Sequence, residues 1–243
     1  MGEQGALRIQ KYFSDKGIAS RRKTEEWISK GYIYLNGEKV TEPGTRLDPT
    51  RDKVTLDPKA KEEVRQYFLF NKPLGIVSVN AQAGEREIKD IVRLPPGVVP
   101  VGRLDKDSTG LIMLTNDGVV ARRLMEPKFE HEKEYEVSFF KPITDEALEK
   151  LSSGLFLFGE KTKNVKIKRL GAYRIRMILK EGKNRQIRRL CEQVGYPARR
   201  LIRVRIAGFE LNNMKLGQIK QLSKKEIGLL YKMLGIGDGS DLG

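Results

Sequence analysis

Residues 98–115 read Val98-Val99-Pro100-Val101-Gly102-Arg103-Leu104-Asp105-Lys106-Asp107-Ser108-Thr109-Gly110-Leu111-Ile112-Met113-Leu114-Thr115. The apolar runs at the two ends, 98–101 and 111–115, have the length of buried strands and are too short for helices. They place the charged segment between them in a loop held by buried elements, where groups that act on a ligand are often found. An Asp between Arg103 and Lys106 is expected to stay ionised, because nearby cations favour the charged form. Such an anion would repel phosphates, but it suits attack on an electron-poor carbon.

The surrounding chain is strongly cationic. It has 243 residues, with 47 Lys and Arg against 32 Asp and Glu, a net charge of +15. Residues 1–58 carry a net charge of only +2, whereas residues 161–205 hold 16 Lys and Arg against Glu181 and Glu192 alone. A solvated face usually mixes signs, so the second segment predicts a polyanionic partner and phosphate contacts from Arg185, Arg189, Arg199, Arg200, Arg203 and Arg205. By period two, Arg203 and Arg205 are expected to share one strand face with Leu201. A single Cys and a single His exclude an internal disulfide and leave no metal-ligand spacing. No apolar run approaches a membrane span and the N-terminus has no signal-peptide core, which predicts a cytoplasmic protein with no membrane partner.

Periodicity divides the chain into a small domain at 1–58, a linker at 59–65, a larger domain at 66–234 and a disordered Gly/Asp tail at 235–243. In the small domain, 7–30 reads as two short helices, the second capped by Ser20. A hairpin follows through Asn36-Gly37. In the larger domain, strands are expected at 67–71, 76–79, 98–101, 111–115, 133–140, 164–169, 172–180 and 200–210. Helices are expected at 117–125, 144–152, 184–195 and 223–234. In the third of these, Ile187, Leu190, Cys191 and Val194 fall on one face, which makes Cys191 a buried small hydrophobe. Asn184 reads as that helix's N-cap, and Trp27 as packing in the small domain.

Three other readings of the Asp105 loop carry less. Asp105-x-Asp107-x-Thr109 mimics the nucleophile loop of haloacid-dehalogenase-type phosphatases, but the Gly/Asp tail that would supply their metal end follows the last helix with no strand to position it. A calcium loop would need Asp or Asn at Thr109 and Glu at Asn116. A plain structural turn, with Asp105 as a local cap, leaves the flanking cations unexplained.

Two resemblances cover nearly the whole chain. Residues 7–40, with Leu7-Arg8-Ile9-Gln10-Lys11-Tyr12-Phe13, Gly17-Ile18-Ala19-Ser20-Arg21-Arg22 and Gly31-Tyr32-Ile33-Tyr34-Leu35-Asn36-Gly37, resemble an S4 RNA-binding domain. Arg8, Lys11, Arg21, Arg22 and Lys23 would be its RNA contacts. The Asn71-Lys72-Pro73-Leu74-Gly75 entry strand, Arg103-Leu104-Asp105, Ser108-Thr109-Gly110-Leu111, Lys133-Glu134-Tyr135-Glu136-Val137 and Gly182-Lys183-Asn184-Arg185-Gln186-Ile187-Arg188-Arg189 together resemble the RsuA-type pseudouridine synthase family, closest to a large-subunit rRNA type. The resemblance implies an α+β fold, with an S4-like domain before a synthase domain whose mixed, mainly antiparallel sheet is flanked by helices. It implies a monomer that isomerises a uridine of ribosomal RNA, 23S above all, with a tRNA loop as a candidate second substrate and no cofactor or metal. Asp105 would be the nucleophile. Attack on the base, attack on the ribose and assistance to glycal formation are all compatible with the sequence. Arg188 would pair with Asp105, Tyr135 would stack on the base and relay a proton at C5, and Leu104 and Ile187 would line the pocket. Arg103 would contact RNA or help extrude the base. A non-catalytic rRNA-binding or assembly factor is the competing class, and Asp105 is the residue it would not require.

Overall fold

A computed structural model describes residues 6–61 and 64–236. The chain forms two compact units. One comprises the residues up to Tyr67 together with Thr115–Arg123 and the segment from Ser223 onward. The other comprises Phe68–Leu114 and Leu124–Leu222.

In the first unit, α1 (Ile9–Asp15) and α2 (Arg21–Ser29) bury Ile9, Phe13, Trp27 and Ile28 against Ile33 and Leu47. The Ser20 hydroxyl accepts from the Lys23 amide at the start of α2, as its sequence position predicts. β1 (Ile33–Leu35) turns through Asn36-Gly37 into β2 (Glu38–Lys39), and β3 (Val54–Leu56) pairs with the other edge of β1. Both turn residues have positive φ, 53° and 87°, which Asn and Gly accept most readily. Leu7, expected in the first helix, lies instead in a short strand pair, Leu7–Arg8 with Arg46–Leu47.

The expected linker is not a free tether. Pro58–Lys61 form a 3-10 turn that buries Ala60 in the small core. Arg65 then donates to the Ile18 carbonyl at 2.9 Å and to the Tyr231 hydroxyl at 3.2 Å, and lies 3.4 Å from the Asp117 carboxylate. Tyr67 completes this network with a 2.6 Å hydrogen bond to Asp117. Helix Lys224–Leu234 thus belongs to this unit, and the first two residues of the expected tail are placed. Gly235 closes the helix in the left-handed conformation and Ile236 is buried, while 237–243 lie outside the described residues.

The second unit is built on a sheet of β4 (Tyr67–Lys72), β5 (Thr109–Thr115), β6 (Lys133–Phe139), β9 (Lys166–Gly171), β10 (Arg174–Leu179), β11 (Ala198–Ile206) and β12 (Ile219–Gln221), with two short added strands at Val99–Pro100 and Phe209–Glu210. Between them come α3 (Gly118–Met125), α4 (Asp145–Ser152), the hairpin β7 (Phe156–Leu157) and β8 (Glu160–Lys161), and α5 (Gln186–Gln193). The last helix, α6 (Lys224–Leu234), and Gly118–Arg123 of α3 belong to the first unit. The order across the sheet is β9-β10-β6-β11-β5-β4-β12. β11 runs parallel to β5, while β9/β10, β10/β6, β6/β11 and β4/β12 are antiparallel, giving the mixed, mainly antiparallel sheet expected.

One core packs α4 and α5 on the sheet around Val137, Ile175, Met177, Leu190 and Cys191, and burial pushes the Cys191 thiol up to about 12. A second core gathers Phe68, Phe70, Ile88, Leu104, Ile112 and Leu114. Tyr135 packs against both. The expected strand at 76–79 is absent; Val77 makes only an isolated bridge to Glu87.

Candidate active site

Asp105 lies at the wall of a cavity of about 550 Å³ whose lining includes Arg103, Leu104, Lys133, Tyr135, Ile187 and Arg203. Each group arrives from a different element. β5 ends the Asp105 loop, β6 carries Tyr135, β11 carries Arg203 and the first turn of α5 carries Ile187.

The loop is fixed by backbone bonds. The Ser78 hydroxyl bridges the amide and carbonyl of Leu104, at 2.9 and 2.7 Å. The Gly75 amide donates to the Lys106 carbonyl and the Ser108 amide to that of Asp105. Gly110 has φ +110°, and a Cβ there would meet the Arg203 backbone amide at 2.6 Å. Only a glycine lets β5 and β11 approach so closely.

The ion pairs differ from the expected set. Arg188 does not pair with Asp105 and is not part of the cavity lining. It is buried, donates to the Asp107 carbonyl at 2.6 Å and the Ala198 carbonyl at 3.0 Å, and lies 3.2 Å from the Asp107 carboxylate. Arg185 grips Asp107 through two hydrogen bonds, at 3.1 and 2.9 Å, and its guanidinium lies 3.8 Å from Asp105. Burial would raise the Asp107 carboxyl, but the Arg185 hydrogen bonds and the charges of Arg188 and Arg185 hold it below the usual range. Arg185 also occupies the N-cap of α5, in the left-handed conformation at φ 49°, where Asn184 was expected.

Arg203 and Arg205 are not surface partners on one face. A bulge in β11 between them turns Arg205 aside, so period two fails at that point. Arg205 is held by Glu134 at 2.6 Å and Glu132 at 3.0 Å. Arg203 is only 3% exposed, is registered directly opposite Tyr135, and donates through Nε to the Leu111 carbonyl at 2.6 Å. Its Nη2 has no hydrogen-bond partner.

The other expected RNA contacts are mostly open. Arg8, Lys11, Arg21 and Arg22 are exposed in the S4-like module, where Lys23 is half-buried and paired with Glu26. Arg199 and Arg200 are exposed on β11, and Arg103 is exposed beside the cavity.

Two lysines escaped the sequence reading of the site. Lys72 is fully buried and donates to the Pro73 and Ile76 carbonyls at 3.0 and 2.7 Å. Burial pushes its ammonium down to about 8, opposed by the charges of Asp105 and Asp107 and assisted by Arg203. Lys133 lines the cavity, and burial with the Arg203 charge lowers it too. A lysine closing the apolar strand Tyr67–Lys72 was the available signal for the first.

A carboxylate, an aromatic ring and a buried cation line one cavity on a mixed sheet, in a chain that also carries an S4-like module, and this combination fits an RNA-modifying enzyme. The chain belongs to the RNA pseudouridylate synthase family: that family's model matches residues 66–193, and the S4 domain model matches residues 7–52. It is 38% identical over 234 residues to the dual-specificity RNA pseudouridine synthase RluF of Escherichia coli K12, covering 94% of this chain and 80% of that one. It is 35% identical to the ribosomal large subunit pseudouridine synthase B of Bacillus subtilis 168, over 90% of this chain and 93% of the relative. Among solved structures it resembles a pseudouridylate synthase crystal structure, with a TM-score of 0.68 and 28% identity over 92% of this chain and 99% of that one.

Proposed function

We propose that this enzyme isomerises a specific uridine of ribosomal RNA, in the 23S molecule, with Asp105 as the nucleophile. The observation that carries this reading is Asp105 at the wall of a cavity shared with Tyr135 and the buried, unsatisfied Arg203. The names of the two relatives support the substrate class.

The target uridine leaves its stack and enters the cavity, since its glycosidic bond is out of reach inside a helix. The N1–C1′ bond breaks with its electron pair remaining on the uracil, while a carboxylate oxygen of Asp105 takes up C1′. The base turns, C5 bonds to C1′ and displaces the carboxylate, the C5 proton is lost and N1 gains one, so the composition of the RNA is unchanged. Tyr135 stacks on the base and relays the C5 proton. Leu104 and Ile187 give the base apolar walls, and Arg103 holds the flanking strand. Arg203 stabilises the departing base. Its free Nη2 donates to the uracil oxygen on which charge collects, a contact strengthened by exclusion of water. Arg188 acts through Asp107, keeping the loop in place. One relative is described as dual-specificity, so a second RNA substrate is assayed as well, with a tRNA loop as the candidate.

The test is Asp105→Asn, which keeps the loop's shape and removes the nucleophile. Pseudouridine formation, read by carbodiimide-blocked primer extension on ribosomal RNA and tRNA from cells with and without the gene, should fall by at least ~10³-fold with folding and RNA affinity retained. Near-normal turnover in the variant would move the active site elsewhere. A stop pattern in 23S RNA that is identical with and without the gene would remove the substrate assignment.

A further inference from the structure

The hairpin of β7 and β8 carries a residue in the wrong conformation for its type. Its two-residue turn is Phe158-Gly159, with φ 55° and 81°. The hairpin of β1 and β2 has the same geometry at Asn36-Gly37, φ 53° and 87°, with the residues such a turn prefers. A bulky aromatic with positive φ is a strained outlier, and the strain has to be offset by something. Packing does not offset it, because Phe158 is 63% exposed and Phe156, two residues earlier, is 67% exposed, with buried Leu157 between them.

The surroundings of the ring are those of a nucleic-acid surface. The Arg189 guanidinium lies over the Phe158 ring, 4.8 Å from its centroid. The hairpin is tied to α5 by a hydrogen bond from the Gln193 side chain to the Phe156 carbonyl, at 3.0 Å. It is tied to the cavity rim by the Glu160–Lys183 ion pair, at 2.8 Å, and Lys183 itself lines the cavity. Arg189 directly follows Arg188 and lies one turn beyond Arg185, the two residues that meet the Asp105 loop. An exposed aromatic with a guanidinium beside it, continuous with a cationic catalytic cavity, matches the chemistry of an unpaired base: the ring stacks on the base and the cation stays near its phosphate.

We propose that Phe158 is a stacking platform for an unpaired RNA base near the target nucleotide, and that its strained turn is kept for that purpose. This rests on the RNA-modifying reading above. It adds a docking point outside the cavity, one that grips bases rather than phosphates alone.

The test uses the full chain, with Phe158→Asn and Phe158→Tyr, against a labelled short oligoadenylate and an RNA duplex of the same length. Asn suits the turn, so the Phe158→Asn protein should melt no lower than wild type. It should nevertheless bind the oligoadenylate about ten-fold more weakly, with an unchanged salt slope and unchanged duplex affinity. Phe158→Tyr should bind as wild type does. Wild-type affinity of Phe158→Asn for the single strand, an equal loss on single strand and duplex, or a lower melting temperature would each overturn the proposal. So would a wild-type dimer in sedimentation that the Asn substitution makes monomeric, which would assign the surface to a second copy. Oligoadenylate contains no uridine, so the outcome is independent of isomerisation. Asp105→Asn protein should bind it normally, and a failure of the catalytic reading would appear only in pseudouridine formation.

Discussion

At the scale of single residues, cations both inside and outside the cavity lining hold the Asp105 loop: Arg185 lines the cavity, whereas Arg188 and Lys72 do not. Arg188 fixes the loop backbone through the Asp107 carbonyl, and Lys72 ties Pro73 and Ile76 beneath it. Lys72 also makes a pH-dependent contribution whose sign can be worked out. Its folded value is about 8 against an ordinary 10.5, so between those limits the unfolded chain binds more protons than the folded one. Stability from this group therefore rises with pH across that window, and below about pH 8 a constant burial penalty applies. In urea unfolding from pH 7 to 10, wild type should gain stability relative to Lys72→Met as the pH climbs past 8. Parallel curves for the two proteins would mean that Lys72 is not the titrating group. The place of Asp105 at the cavity wall agrees with the sequence reading, which singled it out because a carboxylate between two cations is chemically unusual. Its partner was not legible, because Arg185 and Arg188 are three residues apart and both reach the loop. In the structure Arg185, in the left-handed conformation, is the one within 3.8 Å of Asp105.

Among elements, the pair β5 and β11 is the tightest junction of the site. Gly110→Ala would force a Cβ into the Arg203 backbone and into a φ of +110° at once. We expect it to destabilise the protein by about 2 kcal/mol or more and to lower turnover, because Thr109-Gly110 and Ile202-Arg203 are in register and fix Asp105 relative to Arg203. Thermal melting with single-turnover assays checks this, and a fully active, equally stable Gly110→Ala protein would refute it. Helices and long strands were read correctly to within a few residues, since their periodicity extends over several turns. What failed was local. The bulge between Arg203 and Arg205 breaks period two without a glycine or proline to mark it. The hairpin at 156–161 has strands of two residues, too short to show a period. Leu7 joined a strand because its partner, Leu47, lies far along the chain.

For the whole molecule, the basic segment is far less free than its sequence suggests. Among the described residues, ten of the sixteen Lys and Arg between 161 and 205 have a carboxylate partner within 4.0 Å, many of them drawn from Glu130, Glu132, Glu134 and Glu136 on or beside β6. A charge count along the chain cannot see acids delivered by a neighbouring strand. RNA affinity should therefore answer to Arg199 and Arg200 and not to Arg205. Replacing the first two by Ala should flatten the salt dependence by about 1.4 in log–log slope, at ~0.7 per phosphate contact, while Arg205→Ala leaves it unchanged. Equal flattening by both would show that the Glu132 and Glu134 pairs open on binding. The compact unit that holds the S4-like module runs past residue 58. It takes in the start of α3 and all of α6, so a cut at residue 58 would strip Arg65 of its Ile18 acceptor. The closeness of Gly110 to Arg203 has one more consequence. With no room for even a methyl group between them, the strand that follows the Asp105 loop and the strand that carries Arg203 are pinned together at one point of the cavity wall. We therefore expect turnover to rise for uridines in segments already loosened from their neighbours, and equal single-turnover rates on paired and unpaired uridines would refute it.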